Sequence, residues 1–118
     1  MRKIALAATA LSLVAAGQAS AHARLLRAAP QAGATVIAPK ALRLSFSETI
    51  VPDQSSVTVS GPGKAPVAVG KLTLDPQDGR VVTVPVARAL APGAYRVSWR
   101  MKTADGHTTD GDFGFKVK

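Results

Sequence analysis

The sequence predicts an all-β protein, an antiparallel β-sandwich, on the strength of three observations. Apolar and polar residues alternate with a period of two in several short runs from residue 42 onward, which is the pattern of half-buried strands. Turn-forming residues separate these runs at short intervals. No window of helical length shows a convincing 3.6-residue period. Short strands with this spacing favour a sandwich of two sheets.

Each predicted strand has its own alternation. In the run at 95–101, Tyr95, Trp99 and Met101 share a face with Val97, and the arginines share the other. This parity predicts that the tyrosine, the tryptophan and the methionine are buried. Tyr95 follows a Pro-Gly turn and is predicted to form a tyrosine corner, with its hydroxyl bonded to upstream backbone. The predicted strands lie at residues 42–46, 57–59, 72–74, 80–86, 95–101 and 113–117, and the main turns at 29–30, 61–63, 75–79 and 92–93.

The first residues have the layout of a secretory signal peptide. Arg2 and Lys3 precede an apolar run at residues 4–16, and small residues follow at 19–21. The alternative is a membrane anchor, but the run is shorter than the roughly 20 residues that a span requires. The predicted domains are therefore a signal peptide at residues 1–21 and one sandwich domain at 22–118, with no membrane span in the mature chain.

The cleavage position decides which residue comes first in the mature protein. The small-x-small rule fits residues 19–21, which makes His22 the new N-terminus, and it also fits residues 21–23, which removes His22 and leaves Arg24 first. The rule does not choose between them. We adopt the first because it gives His22 a function.

Composition restricts the function classes. Without Arg2 and Lys3 the chain has 13 basic and 7 acidic residues, a net charge of +6. The basic residues are scattered and aromatic residues make up only 4% of the chain, so a nucleic-acid interface is not predicted. The chain has no cysteine. Packing alone must therefore stabilise it, and it offers no thiolate to a metal.

Both histidines of the chain stand where they could bind a metal. A mature N-terminal His22 would offer its amine and its imidazole as one chelate. His107 ends the triplet Asp105-Gly106-His107, in which glycine lets both neighbouring side chains turn toward one point. Three nitrogens and one carboxylate oxygen favour tetragonal Cu(II), with Zn(II) as the next candidate. A terminal histidine and an Asp-Gly turn are also common without metal, so a metal-free turn stays open at this stage.

Two further residues have side chains that could act at a metal site. Glu48 is the only glutamate, and it is either an exposed charge at a strand end or a carboxylate that orients a ligand near the metal. Met101 is the only methionine after residue 21, and its parity makes it core filling rather than a Cu(I) ligand.

The sequence resembles the CopC family of periplasmic copper-resistance proteins. The likeness covers essentially all of residues 22–118. In chain order it comprises His22 after the small residues, Ala29-Pro30, and residues 44–48, 90–100, 104–107 and 111–115. The resemblance implies a Greek-key β-sandwich of the cupredoxin-like or immunoglobulin-like type. It also implies one Cu(II) held by the amine and imidazole of His22 with Asp105 and His107, and Glu48 near the metal.

The resemblance implies a non-enzymatic, monomeric copper carrier or store in the periplasm, with a membrane copper transporter as a possible partner. Some family members have a methionine-rich loop for Cu(I), which this sequence lacks. Two alternatives remain open. One is a histidine-brace copper enzyme, which requires an oxygen-accessible copper and a flat face with exposed aromatic residues. The other is a metal-free secreted interaction domain.

Overall fold

The structure, a computed structural model, describes residues 23–118, and within this range the chain forms two β-sheets. Residues with alternating polarity adopt extended conformations, and the glycine- and proline-rich segments between them form turns. Two short 3-10 turns, at Pro52–Gln54 and Pro62–Lys64, are the only helical elements of the described range. The strands are β1 Leu25–Ala29, β2 Thr35–Val36, β3 Ala41–Phe46, β4 Ser56–Ser60, β5 Pro66–Val67, β6 Thr73–Asp75, β7 Asp78–Pro85, β8 Gly93–Lys102 and β9 Thr108–Val117.

The strand order confirms the predicted sandwich. One sheet has the order β1-β3-β7-β6 and the other the order β2-β9-β8-β4-β5. The chain changes sheet between β1 and β2, β2 and β3, β3 and β4, β5 and β6, and β7 and β8, which gives the Greek-key arrangement. All pairs are antiparallel except β2 with β9, which is parallel. This pair arises because the chain crosses to the second sheet just after β1, and Lys116 N–H donates to Ala34 O at 2.8 Å.

The core lies between the sheets and follows the predicted parity. Along β8, Tyr95, Val97, Trp99 and Met101 are buried, and Met101 has no exposed surface. The Trp99 ring meets Phe46 of the opposite sheet edge-on, with ring centroids 5.0 Å apart. The hydroxyl of Tyr95 donates to Ala91 O at 2.6 Å, which confirms the tyrosine corner.

The end of β8 is hydrogen-bonded to the segment that follows β3. Val51 N–H donates to Lys102 O at 2.8 Å, and Ile50 forms a β-bridge with Thr103. Ile50 and Thr103 are both buried at 1% exposure. This arrangement gives the β8–β9 turn a rigid base. Within residues 23–118 no helix has the length and apolar character needed to cross a bilayer.

Candidate metal centre

The triplet Asp105-Gly106-His107 forms the tight turn between β8 and β9. The two strands pair up to Lys102 and Thr108. Beyond that pair, Thr103 N–H donates to His107 O at 2.8 Å and Gly106 N–H donates to Thr103 O at 2.9 Å. Gly106 has φ +94°, a conformation that residues with a Cβ rarely adopt. The glycine therefore allows the turn to close with its two neighbours on one side.

Asp105 and His107 are in direct contact on this turn. Nδ1 of His107 lies 3.2 Å from Oδ1 of Asp105, and the His107 backbone N–H also faces that oxygen at 3.4 Å. The side chains are 47% exposed for His107 and 48% for Asp105. Two of the residues named from sequence thus stand together at the surface, held by their own turn.

Thr103 contacts both residues of this pair from the interior of the sandwich, and it was not predicted from the sequence. Its hydroxyl donates to Oδ1 of Asp105 and also lies 3.2 Å from His107 O. The parity of β8 contained the signal, because Thr103 follows Met101 by two residues and so shares its inward face. A threonine at an inward position requires a polar partner, and Asp105 is that partner.

Hydrogen bonding keeps Asp105 ionised. The hydrogen bond from the Thr103 hydroxyl is the largest influence, the His107 side chain is the next, and together they hold the pKa of the Asp105 carboxyl below its usual value of 3.8. Both donors favour the charged form, which is the form that binds a metal.

Glu48 lies on the segment after β3, next to this turn. It is partly buried, and its neighbour Thr49 accepts a hydrogen bond from Ala104 N–H at 3.0 Å. This backbone contact brings the segment that carries Glu48 beside the turn.

His22, the third predicted ligand, lies outside the described residues. The chain that follows it is anchored at the same end of the sandwich as the turn. Arg24 N–H donates to Ser47 Oγ at 2.8 Å, and Ser47 N–H donates to Arg24 O at 2.9 Å. Ala23 is buried at 1% exposure.

The described residues do not supply a complete metal-binding set. Within residues 23–118, no group of three or more histidine, cysteine, aspartate or glutamate side chains could hold a metal ion. Asp105 and His107 provide two donors of the types that Cu(II) and Zn(II) accept. A metal centre at this turn requires at least one further donor from elsewhere.

Comparison with known proteins places the chain in a family. The CopC domain matches residues 25–118. Protein YobA of Escherichia coli K12 is 37% identical over 99 residues, which cover 83% of this chain and 80% of YobA. Copper resistance protein C of Xanthomonas campestris pv. juglandis is 33% identical over 120 residues, covering 94% of each chain.

A solved structure gives the same assignment. PcoC of Escherichia coli, described as a methionine-rich copper resistance protein, superposes with a TM-score of 0.74 at 31% identity, over 82% of this chain and 99% of PcoC. The family match, the sequence relatives and the shared sandwich agree: this chain belongs to the CopC family.

Proposed function

We propose that this protein binds one Cu(II) ion in the periplasm through His22, Asp105 and His107, and that it stores or carries the ion without catalysing a reaction. The observation that carries the proposal is the contact between Asp105 and His107. A carboxylate and an imidazole lie 3.2 Å apart, half-exposed, on a turn beside which the N-terminal segment is anchored.

The contacts within the turn suggest which atoms face the metal. Oδ1 of Asp105 is engaged by Thr103 and His107, so we assign Oδ2 as the metal-binding oxygen. A carboxylate beside an imidazole also fixes the tautomer and orientation of the ring, a common role of such contacts in metal sites.

The register of the first residues supports His22 as the missing donor. Arg24 and Ser47 are paired through two hydrogen bonds. Ser47 stands two residues before Thr49, whose backbone oxygen accepts a hydrogen bond from the N–H of Ala104, the neighbour of Asp105, so the described chain just after His22 lies near the turn. A free amine and an imidazole from His22 would complete an N,O donor set, which suits Cu(II) better than the tetrahedral sets typical of Zn(II).

Glu48 is proposed as an outer carboxylate that orients a ligand, because the backbone of its neighbour Thr49 contacts the turn. A Cu(I) site is not part of the proposal. The chain has two methionines, and Met101 has no exposed surface. A fully enclosed thioether is not available to an incoming ion.

The biological role that we propose is copper resistance or homeostasis, with delivery to a membrane copper transporter as one outcome of carrying the ion. Two relatives are named as copper resistance proteins, which supports this role. The export signal predicted at residues 1–21 would place the mature protein in the periplasm.

The non-enzymatic part of the proposal rests on where the aromatic residues lie. The chain has one tryptophan, one tyrosine and three phenylalanines, and all five are buried, the most exposed being Trp99 at 8%. A histidine-brace enzyme that acts on a flat polymer requires exposed aromatic rings around its copper, and this sandwich has none to present.

Ligand variants of the mature protein test the proposal. We expect His107→Ala to weaken Cu(II) binding by more than the roughly 10–100-fold that loss of an outer-shell partner costs, because a donor is removed outright. Asp110→Asn is a matched control, since its side chain is 73% exposed on β9 and lies outside the proposed donor set. Competition titration gives the affinity, and electron spin resonance of Cu(II) reports the nitrogen donors. Equal affinity of His107→Ala and the parent would refute the site.

The N-terminus is tested separately. Mass spectrometry of the exported protein should show His22 as its first residue, and one extra residue placed before His22 should weaken Cu(II) binding because the amine would become an amide. An exported chain that begins at Arg24 would remove the chelate from the proposal.

A further inference from the structure

We infer that Thr103 is a positioning residue that orients the Asp105 carboxylate before the metal arrives. The inference rests on the proposed function, since it concerns the same site. It assigns a role to a residue outside the proposed donor set, from its burial and its hydrogen bonds.

Thr103 is the one polar side chain in the core of the described range. At 1% exposure it is the only buried polar or charged residue among residues 23–118. A buried hydroxyl without a hydrogen-bond partner lowers the stability of the fold, so the hydrogen bond of Thr103 determines the orientation of its side chain. That bond is to Oδ1 of Asp105, a side chain that is itself half-exposed.

The Thr103 hydroxyl can donate its proton to Asp105 because the competing acceptor, His107 O, already accepts another hydrogen bond. His107 O lies 3.2 Å from the Thr103 hydroxyl, but it accepts the Thr103 backbone N–H at 2.8 Å. A hydroxyl has one proton to donate. The carboxylate is the stronger acceptor, since hydrogen bonds to charged groups are about twice as strong as neutral ones.

Three backbone contacts fix the position of Thr103. Thr103 bridges to Ile50 across the sheet edge, its N–H is bonded to His107, and its carbonyl accepts Gly106 N–H at 2.9 Å. Its β-branched side chain also has few χ1 rotamers. Its hydroxyl therefore has a defined direction, and a surface aspartate that would otherwise sample several rotamers is held in one.

Oδ1 of Asp105 also contacts Nδ1 of His107. Since Oδ1 receives both the Thr103 hydroxyl and Nδ1 of His107, fixing this one oxygen sets the position of the ring as well. Thr103 thus acts on both proposed ligands through a single atom. Such preorganisation increases affinity by lowering the entropy lost when the metal binds.

The test compares Thr103→Val, which removes the hydroxyl but keeps the shape, with Thr103→Ser, which keeps the hydroxyl. Thr108→Val is the matched control, because Thr108 is exposed on the same hairpin. We expect Thr103→Val to lower Cu(II) affinity roughly three- to tenfold, the cost of ordering one side chain, and to change the Cu(II) spin-resonance parameters. Thr103→Ser should recover most of both effects, and Thr108→Val should change neither.

A metal-free measurement completes the test. In the apo protein, three-bond couplings between Hα and Hβ of Asp105 should indicate one χ1 rotamer in the parent and rotamer averaging in Thr103→Val. A Thr103→Val protein that is less stable but keeps the parental affinity, spectrum and couplings would overturn the inference and leave Thr103 a purely structural residue.

The failure of this inference is distinguishable from failure of the proposed function. If His107→Ala loses Cu(II) while Thr103→Val binds like the parent, only the positioning role is wrong. If His107→Ala binds like the parent, the proposed site is wrong, and the apo couplings still report whether Thr103 orders Asp105.

Discussion

Gly111 is a position where one added methyl group should destabilise the sandwich. It lies opposite Trp99 on the β8–β9 ladder. A Cβ built at Gly111 would stand 2.5 Å from Cζ2 and 2.9 Å from Cε2 of Trp99. Real Cβ atoms do not approach that closely, so the ring or the strand must move.

The ring has little room to move, which sets the size of the effect. Trp99 is 8% exposed, and its other side meets Phe46 edge-on at 5.0 Å. Overpacking a well-packed core costs about 1–3 kcal/mol. Replacing glycine by alanine returns about 0.4–1 kcal/mol through the unfolded chain. From the midpoints of these two ranges, we expect Gly111→Ala to lower the free energy of unfolding by about 1.3 kcal/mol, and Tm by about 4–8 °C per kcal/mol.

Urea and thermal unfolding followed by circular dichroism measure this change. Gly114→Ala is the matched control on the same strand, since its Cβ would lie 3.3 Å from the nearest atom, Tyr95 O, and its effect should be smaller. Trp99→Phe removes the atoms in conflict, so Gly111→Ala should cost less in that background. Full parental stability of Gly111→Ala, or an equal cost with and without the indole, would refute the reasoning.

Two further predictions concern stability. Tyr95→Phe removes the hydrogen bond to Ala91 O and should lower the free energy of unfolding by about 0.5–1.5 kcal/mol, as measured by urea unfolding; an unchanged midpoint would show that the tyrosine corner contributes no stability. Acid should destabilise the fold, because the pKa values of Asp75, Asp78 and Asp105 are held below 3.8 by hydrogen bonds, led by the backbone N–H of Gln77, the backbone N–H of Arg80 and the Thr103 hydroxyl respectively. Groups with a depressed folded pKa stabilise fully above their unfolded pKa and lose that contribution as pH falls through the folded one. Urea unfolding between pH 6 and pH 2 should therefore show a decline that begins near pH 4 and is shallower in Asp75→Asn; an identical slope in parent and variant would contradict the assignment of Asp75.

Strands β3, β4 and β6 to β9 were predictable because alternating residues in them face the core. The period of two identified the inward residues of β8 individually, down to Met101, and the Pro-Gly turn before Tyr95 predicted the corner. Strand β1 was not predicted, since burial does not alternate along it, and neither were the two-residue strands β2 and β5, since two residues are too few to show a period. They are defined only by hydrogen bonds to neighbouring strands, β2 to β9 and β5 to β4.

The candidate site was likewise predicted only in part from the sequence. The sequence predicted that Asp105 and His107 lie together, because an Asp-Gly-His turn brings its ends together by local geometry alone, and the structure shows their contact. Thr103 and the Ser47–Arg24 pairing were missed as parts of the site. Their importance comes from contacts between segments distant in the chain, such as Ile50 with Thr103 and Thr49 with Ala104.

By itself, the amino-acid sequence determined the all-β class, the inward face of the longer strands and the turn that pairs a carboxylate with an imidazole. Periodicity and turn-forming residues are local features of the sequence, and burying the apolar face of a strand stabilises the fold wherever that strand lies in a sheet. The tertiary structure alone decided which strands are neighbours, that the N-terminal segment is anchored beside this turn, and that a buried hydroxyl lies under Asp105. These depend on how two sheets pack, and no short stretch of sequence contains that information.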